Sequence, residues 1–146
     1  MSFGLLALFS WLATAGFGGL LVVFWARRSA TRARVTYGRP PPYIPVWLVI
    51  THVLLAVGGL VAWVTALMFV DDFAYAAGPA LVLVALAGAS MFVRWLGSRR
   101  ARRAAQPLNR APSESRLPTA AVVGHGVLGV TTVLLVLLSY LRPQPF

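Results

Sequence analysis

Residues 45 to 70 read Pro45-Val-Trp-Leu-Val-Ile-Thr-His52-Val-Leu-Leu-Ala-Val-Gly-Gly-Leu-Val-Ala-Trp-Val-Thr-Ala-Leu-Met-Phe-Val70. The run contains no acid, lysine or arginine, and His52 is its one side chain that titrates near neutrality. At 1.5 Å per residue, the stretch after the proline makes a helix of about 37 Å, enough to cross a hydrocarbon core of about 30 Å. Three more apolar stretches lie on either side, approximately Leu5–Trp25, Ala76–Leu96 and Thr119–Leu141. Across 146 residues the chain is 59% hydrophobic with a mean hydropathy of +0.79, where a soluble domain has about 45–50% apolar residues. The expected fold is all-α: an integral membrane four-helix up-down bundle, one domain over 1–146, with spans near 5–25, 46–70, 76–96 and 119–141. What lies between the spans is too short and polar for a second domain.

The arginines orient those spans. The formal net charge is +10 with no lysine. Arg27, Arg28, Arg32, Arg34 and Arg39 follow the first span, and Arg94, Arg99, Arg100, Arg102, Arg103, Arg110 and Arg116 sit at or beyond the end of the third. Only Arg142 falls on the other side, where Asp71 and Asp72 also lie. Twelve against one satisfies the positive-inside rule. It predicts two basic cytoplasmic loops, about 26–44 and 97–117, and both termini outside, in a plasma membrane of bacterial type. Arginines so placed set topology and touch anionic lipid. No soluble module is present to carry a nucleic-acid interface.

Several chemistries are excluded. The chain has no cysteine, which removes thiol redox chemistry, thiolate metal sites and covalent haem attachment. The spans contain no carboxylate, so a proton-coupled exporter is not expected, and Ser10, Ser90 and Ser139 have no base partner for nucleophilic catalysis. The first span lacks a basic region ahead of it and reads as a retained helix rather than a cleaved leader. The short outer turn Asp71-Asp72-Phe-Ala-Tyr75 makes the second and third helices antiparallel neighbours, with Gly78-Pro79 suited to the start of the third.

Pro118-Thr-Ala-Ala-Val-Val-Gly-His125 repeats the pattern of Pro45 to His52 after 73 residues. The chain reads as two related helical hairpins about an axis along the membrane normal. His52 and His125, the two histidines of the chain, each lie about 10 Å along a helix from its proline, hence at one depth. Intramembrane ionisable residues are functional candidates by default. Diagonal helices in an up-down bundle leave roughly 11–14 Å between axes, room for a flat ligand between two facing imidazoles. Such a pair suits the axial ligands of a b-type haem. The other readings are histidines that hydrogen-bond between helices, to each other, Ser90 or Thr14; histidines that touch a quinone; and a metal ion, for which third and fourth ligands are wanting. Thr51, Thr131 and Thr132 are more suited to bonding their own helix.

Around the pair, Gly59 lies two turns beyond His52 on the same face, and Gly129 one turn beyond His125. Gly16, Gly18 and Gly19 thin the first helix, as Gly88, Ala89 and Ser90 do the third. Small residues also serve plain helix contact. Haem propionates at this depth would need cationic partners, with Arg94 first and Arg116 and Arg39 next; the competing role of Arg94 is to reach for head groups. Met68 and Met91 read as core filler.

One histidine each on the second and fourth of four spans resembles the bis-histidine b-type membrane cytochromes, including cytochrome b561-like bundles and the half-bundles of haem A synthase. The resemblance is architectural and rests on His52 and His125. It implies one haem b and electron transfer with quinol or a redox partner subunit. Many such bundles hold two haems; here a second histidine pair is impossible, so a partner subunit, a second copy or a quinone would complete any transmembrane route. The expected function is therefore electron transfer rather than stand-alone catalysis. The alternative is a cofactor-free accessory or assembly subunit of a larger membrane complex, with Trp11, Trp25, Trp47, Trp63 and Trp95 giving a tryptophan-rich surface.

Overall fold

A computed structural model describes residues 2–33, 44–69, 73–104 and 117–141. They form four helices and, among the described residues, no strand: α1 (Phe3–Ala33), α2 (Val46–Met68), α3 (Phe73–Ala104) and α4 (Thr119–Leu141). Each is long and apolar enough to cross a membrane, so the chain is a multi-pass membrane protein built as a four-helix bundle. Large apolar side chains such as Leu54, Leu86, Val93 and Val127 are exposed on its outside, as a lipid-facing surface requires.

The second and fourth helices begin where their prolines predict. Pro45 is extended and its carbonyl accepts from Leu48 N at 3.1 Å; the Pro118 carbonyl accepts from Val122 N at 3.1 Å. The first and third helices overrun the expected ends. α1 continues to Ala33 and α3 to Ala104, through much of what was expected to be loop. Arginine and alanine are strong helix formers, no proline follows either expected end until after the observed helix end, and Gly97 is the one glycine in the added turns. α3 also starts earlier than expected, at Phe73, leaving Pro79 inside it. Proline is tolerated in membrane helices, where neighbours compensate the freed backbone groups. The central parts of the two basic loops (34–43 and 105–116), the turn at 70–72 and the C-terminal 142–146 lie outside the described residues.

The helices pack as two close pairs. α1 lies against α4 and α2 against α3, while α1 touches α2, and α3 touches α4, only lightly. α2 and α4 face each other across a diagonal without backbone contact, as do α1 and α3. Two cores close the ends. One, with Ala7, Trp11, Trp63, Ala77, Leu81 and Val136, draws on all four helices. The other consists of Ile44, Trp95 and Leu117, with Trp25, Val49, Met91 and Val122 packed on it. Trp11, Trp63 and Trp95 are each 3% exposed, which corrects the expectation of a tryptophan surface: they are core, and Trp47 alone of the five is largely exposed.

Between the cores, no residue of 12–27, 49–58, 82–94 or 118–131 is buried. On α2 that is ten residues, about 15 Å of helix. This layer holds Ala15, Gly16, Gly18 and Gly19 on α1 and Ala85, Ala87, Gly88 and Ala89 on α3, and at Gly18 and Gly88 a histidine ring takes the place of the missing side chain.

Burial also repeats along the chain. Ala7 and Ala77, Trp11 and Leu81 match at a displacement of 70; Ile44 and Leu117, Trp63 and Val136 match at 73, and all eight are buried. Exchanging α1 with α3 and α2 with α4 maps close pairs onto close pairs and light contacts onto light contacts.

Candidate functional site: a tethered histidine pair

His52 on α2 and His125 on α4 meet across the diagonal in the layer between the cores. Their ring centroids are 6.2 Å apart and their planes are inclined by 70°. Each ring is held on its outer side by the partner helix of its own close pair. His52 Nδ1 donates to the Val84 carbonyl of α3 at 3.0 Å, and His125 Nδ1 donates to the Thr14 carbonyl of α1 at 2.9 Å. A carbonyl can only accept, so each neutral ring carries its proton on Nδ1 and keeps a lone pair on Nε2. Among the described residues, no hydrogen bond engages either Nε2.

The two tethers are built alike. Gly18 lies four residues after Thr14, and Gly88 four after Val84. In a helix the residue one turn on stands above the carbonyl, where its Cβ would crowd a second donor. A Cβ at Gly18 would fall 3.0 Å from His125 Cε1 and 3.4 Å from Nδ1; one at Gly88 would fall 3.2 Å from His52 Cε1. Glycine at these two places therefore seats the imidazole against the neighbouring backbone. Sequence reasoning found both glycines only as general thinning. The signal that singles them out is their own displacement of 70, matching the carbonyls they serve.

Thr14 serves His125 through its carbonyl, whereas its hydroxyl donates to the Ser10 carbonyl at 2.8 Å and lies 3.3 Å from Thr132 Oγ1. Ser10 Oγ and Thr132 Oγ1, 2.9 Å apart, complete a polar knot between α1 and α4. Thr131 and Thr132 bond back to Val127 and Leu128 of their own helix. Among the described residues Ser90 is not a hydrogen-bond partner of either imidazole, each of which uses a backbone carbonyl.

Of the other expected site residues, the structure describes Gly59, Gly129 and Arg94. Gly59 is buried in the first core, where its Cβ position is 3.1 Å from the Trp11 ring and 3.3 Å from Ala80 Cβ; it makes room for an indole. Gly129 faces Thr14 Cγ2 at 3.9 Å in the α1–α4 contact. Arg94 is on the exposed face of α3. Arg116 and Arg39 lie outside the described residues. Met91 packs against the second core, and Met68 is 69% exposed rather than core filler. No group of three or more histidines, cysteines or acids stands together among the described residues.

Fold and site together define a class: a multi-pass four-helix membrane protein with one histidine pair tethered between two helix pairs. Comparison with protein-family models, curated proteins and solved structures finds no match to this chain.

Proposed function

We propose that this protein is a membrane b-type cytochrome, holding one haem between His52 and His125 and exchanging electrons with quinol or a redox partner subunit. The observation that carries the reading is the spacing of the tethered rings. A metal–imidazole bond is about 2 Å and the bonded nitrogen lies roughly 1 Å from its ring centre, so two axial imidazoles on one metal hold their centroids about 6 Å apart. The centroids here are 6.2 Å apart. The donor set fits as well: each ring spends its N–H on a carbonyl and retains the nitrogen that would ligate, the usual arrangement of a metal-bound histidine. The small-residue layer between the cores suits a flat apolar macrocycle.

A bound haem would supply reversible one-electron chemistry. The protein's part is positional. The carbonyl tethers fix both imidazoles, so the ligands keep their places in either oxidation state. The apolar walls exclude water and, with nearby charge, set the potential. An up-down topology with basic loops in the cytoplasm and both termini outside is supported by the arginine distribution. It is also supported by the registers in which Ser10 meets Thr132 while Gly18 meets His125, and Gly59 meets Ala80 while Gly88 meets His52. One haem in one leaflet does not span the membrane, so a partner subunit, a second copy or a quinone completes the route. The site itself involves no nucleic acid; lipid surrounds it.

The test is an absorption spectrum of the detergent-purified protein, air-oxidised and dithionite-reduced. A sharp reduced α band with a strong Soret is expected, each lost in His52→Ala and in His125→Ala. The inclination of 70° also suits direct edge contact between imidazoles. A protein that stays colourless after haem supplementation would favour that arrangement, and with it a cofactor-free accessory subunit.

A further inference from the structure

Among the described residues, two buried indole nitrogens have no hydrogen-bond partner: Trp25 Nε1 on α1 and Trp95 Nε1 on α3. They are equivalent under the displacement of 70 that also relates Gly18 to Gly88. A buried donor without an acceptor is unfavourable, and inside a membrane no water stands ready to satisfy it. Trp95 is also held firmly. Its ring is 3% exposed, with the Arg99 guanidinium 5.1 Å from its centroid on one side and the Phe92 ring at 5.6 Å. Arg99 is itself fixed by donating to Thr119 Oγ1 of α4 at 2.7 Å, and Ser98 Oγ donates to the Trp95 carbonyl at 2.7 Å. Two orphan donors at equivalent positions, one of them locked in place with a guanidinium beside it, are arranged to receive anionic acceptors.

Position identifies the acceptor. Each tryptophan lies seven residues beyond its tether glycine, two turns or about 10 Å further along the helix. Both indoles border the core at the same end of the bundle. A macrocycle held between His52 and His125 would have α1 and α3, the helices that carry Trp25 and Trp95, on either side of it. We propose that these two indole N–H groups bind the paired propionate carboxylates of the haem, the role that sequence reasoning gave to Arg94. The proposal rests on the reading of the histidine pair, and its test separates the two.

The full-length protein, freed of ligand in mild detergent, is titrated with haem and with haem dimethyl ester, which lacks the carboxylates. The ferrous low-spin complexes are then compared by nitrogen-15 tryptophan spectra. Two indole N–H resonances, assigned by their absence in Trp25→Phe and Trp95→Phe, are expected to move downfield with haem and not with the ester. Haem should bind about tenfold tighter than the ester to the parent protein, a preference lost in the double variant. The comparison on the parent protein needs no variant to fold. Equal affinity for haem and ester with unmoved indole resonances, in a complex whose Soret still depends on His52 and His125, overturns the tryptophan assignment and leaves the histidine reading standing. No Soret band with either compound overturns the histidine reading, and this proposal with it.

Discussion

An imidazole inside a membrane must place one N–H, and here the acceptor is a neighbouring helix's backbone rather than a side chain. That choice makes the residue one turn past the acceptor as important as the histidine. Gly18→Ala sets a methyl 3.0 Å from His125 Cε1, and Gly88→Ala sets one 3.2 Å from His52 Cε1. Either the ring leaves its carbonyl or the helices part. Each substitution is expected to cost about 1–3 kcal/mol, with Gly18→Ala the larger, read as a lower unfolding temperature in detergent together with weakened haem retention. A Gly18→Ala protein as stable as its parent, with an unaltered reduced spectrum, would show that the tether does not matter. The histidines were legible in the sequence because proline fixed their depth. The tether glycines were harder to read: nothing local separates Gly18 from Gly16 or Gly19, and the distinguishing sign is the match of Gly18 to Gly88 at a displacement of 70.

At the scale of the helix, sequence reading located all four spans because apolar length is a signal contained within one element. Beyond the expected spans α1 and α3 run on as helix, through sequence rich in arginine and alanine. Sequence reading grouped Gly59 with the histidine face because two turns of spacing put them on one side of α2. In the bundle that side serves two layers, and by Gly59 the layer has become core, with Trp11 pressed against the missing side chain. Gly59→Ala is therefore expected to destabilise the bundle by about 1–3 kcal/mol while the haem spectrum and ligand affinity stay those of the parent. Loss of haem at unchanged stability would instead make Gly59 part of the site. The tryptophans teach the same lesson. The five residues suggested a tryptophan-rich surface, whereas three of them fill the two cores, a distinction that depends on which helices meet.

For the molecule as a whole, the helices joined by the basic loops touch lightly, and the close contacts run between the two halves of the chain. Residues 1–70 hold α1, α2 and His52; residues 71–146 hold α3, α4 and His125. Each half thus supplies one imidazole and needs the other half for its tether. Co-expressed as two polypeptides, the halves are expected to copurify and to recover the haem spectrum, whereas neither alone should bind haem or survive extraction as a stable species. Copurification is read from a tag on one half only. A half that holds haem by itself would show that its own two helices suffice. The sequence hinted at this arrangement through the repeated proline–histidine pattern, but could not say whether hairpins pack within themselves or across each other.

The crosswise grip sets an order on biogenesis. When α1 and α2 have entered the membrane, neither has its close partner, and His52 has no carbonyl to bond until α3 arrives. Thr14 likewise waits for His125, the contribution of the last helix to be synthesised. The tethered histidine pair cannot exist on a nascent chain; it forms when α4 docks. Until then α1 and α4 have not closed on each other, so the proposed haem would enter from the side before the fourth helix packs against the first, with no need for a permanent opening in the finished bundle.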